Sequence, residues 1–492
     1  MDRIYAVLPK KIGTISPNLY GVFAEHIGGV FYDGLYVGKD SPVENIRGFR
    51  KAIVDRMKEA RIPLIRWPGG CFAEIYDWRD GIGPQKDRPT RINWWTSHDG
   101  RYEPNQVGTD EFLELCALAN AEPYFAANIT STTPLSIRDW IDYCNSPAGS
   151  TTMARLREKN GRKEPYGVRL WGVGNETWGG GGRMSPESYA MEYRKYAEIM
   201  KNADPKIELI ASGANAADYS WTRRMLAVIE EGRGPMDGMS FHYYSGSDDD
   251  PTGFDTAGWY KLLGKANRME ELIRRHWAGV ESYGLEEKGK LVIDEWGAWH
   301  RDGSGPSRGY NLFEQQSTLR DGMLAALTLN IFNRHADKIR IATVAQLVNN
   351  LHALFLAGGE NMVVTPTWHV FDLYKGHQGG TAVECFAESA SLPEGLPGIS
   401  VSASVKDGLL TLTAANLSAE EDKEIRLTLY GGKARGNCVM RILSDPDLRA
   451  HNSFEEPDRV GTVTRETDGL PETLFLPKGG VASLAVPVSS AD

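Results

Sequence analysis

The sequence has few cysteines and none of the motifs in which cysteines bind metals or form disulfides. Five cysteines are spread over 492 residues, their number is odd, and no two have the C-x-x-C spacing. This pattern argues against a disulfide framework and against a structural zinc site. Basic clusters are also lacking: no Lys/Arg run exceeds a pair, and the formal net charge is −10. Nucleic acids and anionic membrane surfaces are therefore not expected partners.

Long apolar runs are absent as well. The most apolar window, Met323–Phe332, is far too short to span a bilayer. The first sixteen residues carry charges at Asp2 and Arg3 and include no apolar stretch of signal-peptide length. If the chain begins at its native Met1, a cytoplasmic location is expected.

Between residues 19 and 346 short β-rich runs alternate with helical stretches. Each run ends in or near a polar or charged residue. Strands that alternate with helices predict a parallel sheet, and eight such units over this length predict a (β/α)8 TIM barrel. The runs are Leu19–Glu25, Pro63–Trp67, Glu122–Asn128, Val168–Glu176, Ile207–Gly213, Gly238–Tyr244, Leu291–Glu295 and Ile339–Gln346.

After about residue 370 the pattern changes to alternation with period two. Val401, Ala403 and Val405 alternate with polar residues, and Asp407-Gly408 predicts a two-residue hairpin turn. This texture is typical of an antiparallel β-sandwich. We predict an α/β protein with a barrel catalytic domain over residues 15–368 and a C-terminal, jelly-roll-like β-sandwich over residues 369–492.

Residues 1–14 are predicted to join the sandwich rather than the barrel. Ile4, Ala6 and Leu8 alternate with less apolar positions, as in an edge strand that precedes the barrel.

Two carboxylates lie at the ends of predicted barrel strands. Glu176 ends the fourth run and Glu295 the seventh. The carboxyl ends of barrel strands form the active site, and strands four and seven lie on opposing walls. Hydrolysis of an acetal needs one acid for the leaving oxygen and one carboxylate for the anomeric carbon. A single strand-end glutamate often only pairs with an arginine at the rim, but two on opposing walls predict a glycoside hydrolase.

Several segments resemble glycoside hydrolase family 51, the intracellular α-L-arabinofuranosidases, and they occur in the family's order along the barrel. The segments are Gly21–His26, Arg66–Gly70, Asp77–Pro84, Gly172–Glu176, Asp294–Trp296 and Ala345–Asn349.

The resemblance implies a role for each matching position. Glu176 corresponds to the acid/base and Glu295 to the nucleophile, as in retaining enzymes. The implied sugar ligands and their helpers are Glu25, Asn175, His242, Tyr244 and Gln346. Among them, Asn175 corresponds to the ligand of the 2-hydroxyl and Tyr244 to the phenol that orients the nucleophile.

Three further positions are weaker candidates for substrate contacts. Cys71 stands where many family members have an asparagine that binds a sugar hydroxyl, and a thiol is a poor hydrogen-bonding group. A buried, inert Cys71 and a Cys71 that touches substrate are equally compatible with the sequence. Trp178 and Trp299 suit stacking on a sugar ring, with core packing as the alternative for each.

The function predicted from the sequence is release of terminal α-L-arabinofuranosyl residues from arabino-oligosaccharides and arabinoxylan fragments by double displacement. No HExxH motif occurs, so we expect no catalytic metal and no cofactor. A β-xylosidase or endo-glucanase on the same barrel, and a non-catalytic sugar-binding protein, remain alternatives. The family resemblance also implies a homo-oligomer, commonly a hexamer.

Overall fold

A computed structural model describes residues 2–247 and 249–490, and within them the predicted barrel is present and closed. Neighbouring strands pair in parallel, and the eighth strand pairs with the first. Each strand falls on one of the eight predicted runs, so the predicted fold class is confirmed. In chain order the barrel strands are Gly21–Phe23, Leu64–Trp67, Glu122–Ala127, Leu170–Val173, Glu208–Asn215, Gly238–Gly246, Lys290–Trp299 and Ile339–Ala345.

The barrel is a packed core rather than a pore. One layer of inward-facing apolar side chains fills its centre, and the polar residues that end the strands lie above this layer. A filled interior is what parallel strands with bulky branched residues produce. The layer consists of Leu64, Tyr124, Leu170, Ile210, Val292 and Ile341.

Helices surround the barrel and connect its strands. The helix Pro186–Ala203 begins after Ser185, whose hydroxyl accepts the Ser188 N–H, with proline at the first helical position. In the described residues no helix is long and apolar enough to cross a membrane. The α-helices are Lys51–Glu59, Thr96–Asp99, Thr109–Ala119, Pro134–Asn145, Thr152–Lys159, Pro186–Ala203, Tyr219–Glu231, Thr256–Asn267, Met269–Glu281, Leu319–Arg334 and Pro366–Tyr374.

The C-terminal domain is one sheet that curls around its own hydrophobic core. Strands that are distant in the sheet order contribute to the same buried cluster, so the two ends of the sheet face each other across it. Asp407 and Gly408 have φ angles of 50° and 75° between two paired strands, and the predicted hairpin is confirmed. The strands are Asp2–Thr14, Thr381–Glu388, Ile399–Lys406, Leu409–Asn416, Lys423–Tyr430, Gly432–Ala434, Asn437–Leu443, Thr462–Asp468, Thr473–Leu476 and Val481–Ser490.

The strand Asp2–Thr14 lies inside this sheet and not at its edge, contrary to the sequence-based expectation. It pairs antiparallel with Thr381–Glu388 and parallel with Lys423–Tyr430, so the sheet is not wholly antiparallel. Alternation reveals which face of a strand is buried but not whether one or both of its backbone edges are paired. No hairpin joins this strand to its neighbours, so either direction is open to it. The boundary proposed between residues 368 and 369 lies within the helix Pro366–Tyr374.

Candidate active site

Glu176 lies in a tight turn just beyond the fourth barrel strand. Gly174 and Glu176 both have positive φ angles, of 86° and 42°. The left-handed region is unfavourable for a residue with a side chain, and such conformations are held by their surroundings. Here the turn directs the Glu176 side chain into the barrel mouth, where it is 19% exposed.

Glu295 is held by donors from three sides. Arg66 Nη1 donates to its Oε1 at 2.9 Å, and the Tyr244 hydroxyl donates to its Oε2 at 2.8 Å. His242, which lies beside Glu295 in the paired sixth and seventh strands, has its Nδ1 3.4 Å from the same Oε2. These contacts favour an ionised carboxylate in a fixed orientation.

The two carboxylates face each other at short range. His242 Nδ1 lies 2.9 Å from Glu176 Oε1 as well as near Glu295. One carboxylate oxygen of Glu176 and one of Glu295 lie within 4.8 Å of each other. The pair predicted from opposing walls of the barrel is therefore brought together in a single site.

The surroundings shift the pKa values of the two carboxyls in opposite directions. Burial and the nearby Glu295 carboxylate raise the pKa of Glu176. Burial would also raise the pKa of Glu295, but His242 and Arg66 outweigh it and lower that pKa to about 2. Two carboxyls with separated pKa values can act as acid and nucleophile.

Glu25 and Gln346 form a second polar group across the pocket. Gln346 Oε1 accepts the backbone N–H of Glu25 at 2.9 Å, and Glu25 Oε1 accepts the backbone N–H of Phe72 at 3.0 Å. Gly70 allows this close approach, since a Cβ there would lie 2.8 Å from Glu25 Oε2. Burial raises the pKa of Glu25 to about 7.

Asn175 presents a free amide donor next to the catalytic pair. Its Oδ1 accepts from Arg66 Nη2 at 2.6 Å, which fixes the amide orientation. Its buried Nδ2 has no partner among the described residues. A buried donor without a partner is costly, and a hydroxyl of a bound sugar would satisfy it.

A small pocket of about 60 Å³ lies above the two carboxylates. Its walls include Trp299, which is 36% exposed and meets the Tyr244 ring edge-on at 5.1 Å. Trp178 is half-buried, packs against the barrel core and is not among the side chains that line this pocket, so its stacking on a sugar stays a prediction. The lining residues are Glu25, Ile27, Gly70, Cys71, Trp95, Glu176, Tyr244, Glu295, Trp299, Phe313, Gln346, Asn350 and Leu351.

Cys71 lies in the pocket wall beside the candidate acid. Its Sγ is 3.9 Å from Glu176 Oε2, and burial raises the pKa of the thiol above its usual value. A neutral thiol is therefore in reach of a bound ligand. On its other side, a Cβ on Gly180 would lie 2.8 Å from the sulfur, so the glycine turn after Trp178 packs directly on this residue.

Sequence reasoning gave no role to several residues of the site. Trp95 donates from Nε1 to Glu25 Oε1 at 3.1 Å, but it lies in the long loop after the second barrel strand, far from any barrel strand end. Asp294 accepts from the Tyr124 hydroxyl at 2.9 Å and has its Oδ1 3.0 Å from His242 Nε2. Asp294 lies next to Glu295 in the family-like segment Asp294–Trp296, which was the signal for it, and none existed for Trp95.

Glu176, His242 and Glu295 also have the composition of a metal-ligand set. The guanidinium of Arg66 is 2.9 Å from Glu295, and together with Tyr244 it already occupies both carboxylate oxygens. A cation at this place would meet the positive guanidinium, so the donor set fits a metal poorly. The absence of a catalytic metal remains a prediction.

Two family models match the chain. One describes the α-L-arabinofuranosidase 1 domain and matches residues 56–261, and the other describes the α-L-arabinofuranosidase C-terminal domain and matches residues 294–477. The intracellular exo-α-L-arabinofuranosidase of Bacteroides ovatus is 38% identical over 470 residues, which cover 93% of this chain and 88% of the relative. The α-L-arabinofuranosidase C of Emericella nidulans is 32% identical over 487 residues, with 93% and 92% covered.

Solved structures give the same result. The GH51 arabinofuranosidase from Xanthomonas axonopodis pv. citri superposes with a TM-score of 0.92 at 35% identity, covering 99% of this chain and 100% of the other. The α-L-arabinofuranosidase from Thermotoga maritima, solved as an arabinose complex, has a TM-score of 0.88 at 29% identity with the same coverage. The chain is therefore a member of the α-L-arabinofuranosidases of glycoside hydrolase family 51.

Proposed function

We propose that this α-L-arabinofuranosidase works by double displacement, with Glu295 as nucleophile and Glu176 as general acid/base. The observation that carries this assignment is the approach of the two carboxylates to within 4.8 Å. Retaining glycosidases have carboxyls about 5–5.5 Å apart, whereas inverting enzymes need about 6.5–9.5 Å to admit a water molecule. An approach within 4.8 Å between one oxygen of each carboxyl is compatible with the retaining spacing and supports direct attack by Glu295.

In the first step, the Glu295 carboxylate attacks the anomeric carbon. The bond to the glycosidic oxygen breaks, and that oxygen takes the proton of Glu176 as the aglycone leaves. The donors from Arg66 and Tyr244 keep Glu295 ionised and oriented. The raised pKa of Glu176 keeps a proton on it for donation.

In the second step, a water molecule takes the place of the aglycone. Glu176, now ionised, accepts a proton from that water while the oxygen attacks the anomeric carbon and displaces Glu295. Arabinose leaves with its configuration retained, and both side chains return to their starting protonation states. Asn175 Nδ2 is placed beside the pair to donate to the 2-hydroxyl, a contact that strengthens in the transition state.

The small pocket supports exo action on terminal α-L-arabinofuranosyl residues of arabino-oligosaccharides and arabinoxylan fragments. Glu25, Gln346, Cys71 and Trp299 line the pocket and are the proposed further contacts to the substrate. The name of the Bacteroides ovatus relative includes both exo and intracellular, and it supports a cytoplasmic location for this chain. A homo-oligomer, of six copies by family resemblance, belongs to the same proposal.

No specific contact favours the alternatives. An endo-glucanase needs a cleft open at both ends, whereas Trp95, Trp299 and Phe313 wall this pocket. A non-catalytic sugar-binding protein would not need carboxyls with oppositely shifted pKa values.

The proposal is tested with wild type, Glu176→Ala and Glu295→Ala on 4-nitrophenyl α-L-arabinofuranoside, each with and without azide. We expect azide to restore turnover of Glu176→Ala and to give the α-arabinosyl azide, with retained configuration. Glu295→Ala should be inactive without azide and should give only the inverted β-azide with it.

The same activity assay in the presence of a chelator tests the prediction that no metal takes part. Parallel assays with the β-D-xylopyranoside and a β-glucan test the substrate. A wild type that cleaves only those substrates would contradict the sugar assignment. Azide rescue with the two anomers exchanged would contradict the roles of the two glutamates.

A further inference from the structure

Glu74 is a fully buried carboxylate that lies outside the pocket. It belongs to the helical turn Cys71–Ile75, which follows the second barrel strand, and its relative exposure is 0%. Its Oε1 accepts the backbone N–H of Asn175 at 2.6 Å. Its Oε2 accepts the backbone N–H groups of Ile129 and Thr130, each at 3.0 Å.

These bonds join the loops that follow three consecutive barrel strands. Glu74 comes after the second strand, Ile129 and Thr130 after the third, and Asn175 after the fourth. The Ser131 hydroxyl adds a bond to the Glu74 backbone carbonyl at 2.7 Å. No ion pair involves Glu74 in the described part of the chain, so backbone N–H groups are what compensates its buried oxygens.

The bond to Asn175 acts in a strained turn of the site. Asn175 lies between Gly174 and Glu176, which both have positive φ. A backbone in this region relaxes unless its surroundings hold it. The Asn175 N–H is the group in this turn that Glu74 fixes, and the next residue along is the candidate acid/base.

We propose that Glu74 is a positioning residue that holds the Asn175–Glu176 turn and so sets the direction from which Glu176 delivers its proton. Glu74 touches neither the pocket nor the reacting atoms, so its effect passes through Glu176. The inference rests on the proposed role of Glu176 and adds to it the residue that orients the acid. Burial raises the pKa of Glu74 to about 7, and the N–H bonds oppose that rise.

The test is Glu74→Gln, assayed as kcat/KM on two aryl α-L-arabinofuranosides. In the variant an amide NH2 replaces one accepting oxygen, so at least one of the backbone N–H groups loses its acceptor. A 4-nitrophenolate leaves with little need of a proton, whereas a phenolate depends on the acid. We expect kcat/KM on the phenyl substrate to fall about 10-fold more than on the nitrophenyl substrate, since a well-placed acid contributes ~10²–10⁴-fold.

Asp110→Asn is the matched control. Asp110 is a partly buried carboxylate that accepts from the hydroxyls of Tyr143 and Tyr166 at the outer helices, away from the site. The Asp110→Asn variant should lower kcat/KM equally on both substrates, or leave it unchanged on both. If Glu74→Gln behaves in the same way, the inference is overturned.

Two further variants keep the result decisive. Ser131→Ala removes the hydroxyl bond to the Glu74 carbonyl, together with the bond that this hydroxyl accepts from Asn128 Nδ2. If Glu74→Gln does not fold, Ser131→Ala should still lower kcat/KM more on the phenyl substrate than on the nitrophenyl substrate, by a smaller factor. An equal loss of kcat/KM on both substrates overturns the inference. Glu176→Ala gives the reference value, which is the difference in kcat/KM between the two leaving groups when the acid itself is absent. Should Glu176→Ala itself show no dependence on the leaving group, the proposed function fails, and not merely the role of Glu74.

Discussion

Removal of one hydroxyl next to the nucleophile should slow the reaction markedly. In Tyr244→Phe the ring remains against Trp299, but the 2.8 Å bond to Glu295 Oε2 is lost. A hydrogen bond to a charged group contributes about 1.5–3 kcal/mol. If the whole of that contribution is lost from the stabilisation of the transition state, kcat falls roughly 10- to 150-fold. With one donor fewer, the pKa of Glu295 rises from about 2, so an acidic limb that lies below pH 3 in the wild type should move up towards the assayed range.

The adjacent tyrosine provides the control. Tyr243 lies on the opposite face of the same strand, and its hydroxyl donates to the Lys265 carbonyl at 2.7 Å, outside the barrel. Tyr243→Phe should lower the melting temperature slightly and leave kcat and the pH profile unchanged. The assay is initial rates on 4-nitrophenyl α-L-arabinofuranoside from pH 3 to 9, with circular dichroism to check folding. A kcat for Tyr244→Phe within twofold of wild type would refute the reasoning.

Two other changes test the pocket walls. In Gly180→Ala the new Cβ would lie 2.8 Å from Cys71 Sγ and 3.2 Å from Trp94 Cζ2. Such overpacking costs about 1–3 kcal/mol, so the melting temperature should fall. Adding Cys71→Ala removes the shorter contact and should recover part of the loss. If the double variant is no more stable than Gly180→Ala alone, the contact is not the cause. Glu25 has a pKa of about 7 in the folded protein against an ordinary 4.5, so the folded state binds its proton more tightly than the unfolded chain. The free energy of unfolding therefore decreases, through this group, as the pH rises from about 4.5 to 7. Glu25→Gln should flatten the melting temperature over that window, and an unchanged slope would contradict the shift.

The barrel was predictable because two simple signals agree along the chain. Strand-like runs alternate with helical stretches, and polar residues lie at the ends of the runs, where the carboxyl ends of parallel strands meet. The place of residues 2–14 in the sheet was not predictable in full. Their pairing partners are hundreds of residues away, and no local turn fixes the register or the direction of such a contact.

The site was predictable where it is built from strand ends. Glu176, Glu295 and His242 each follow or end a barrel strand, and the structure brings them into contact. Trp95 and Phe313 reach the pocket from long loops, whose paths depend on tertiary packing and leave no periodic signal. Trp178 is close in sequence to Glu176 and packs in part against the core, and its contact with substrate stays a prediction.

The paired position of the first strand has a consequence for synthesis on the ribosome. The strand Asp2–Thr14 is made before the barrel, but its antiparallel partner begins at Thr381, 367 residues after Thr14. At about 5–20 residues per second, the strand waits roughly 20 to 70 s with its backbone unpaired. Pro9, Lys10 and Lys11 lie in its middle, beside irregularities in the register. Proline and lysine in an unpaired strand discourage aggregation, and we expect these residues to have that effect on the nascent chain while the barrel emerges.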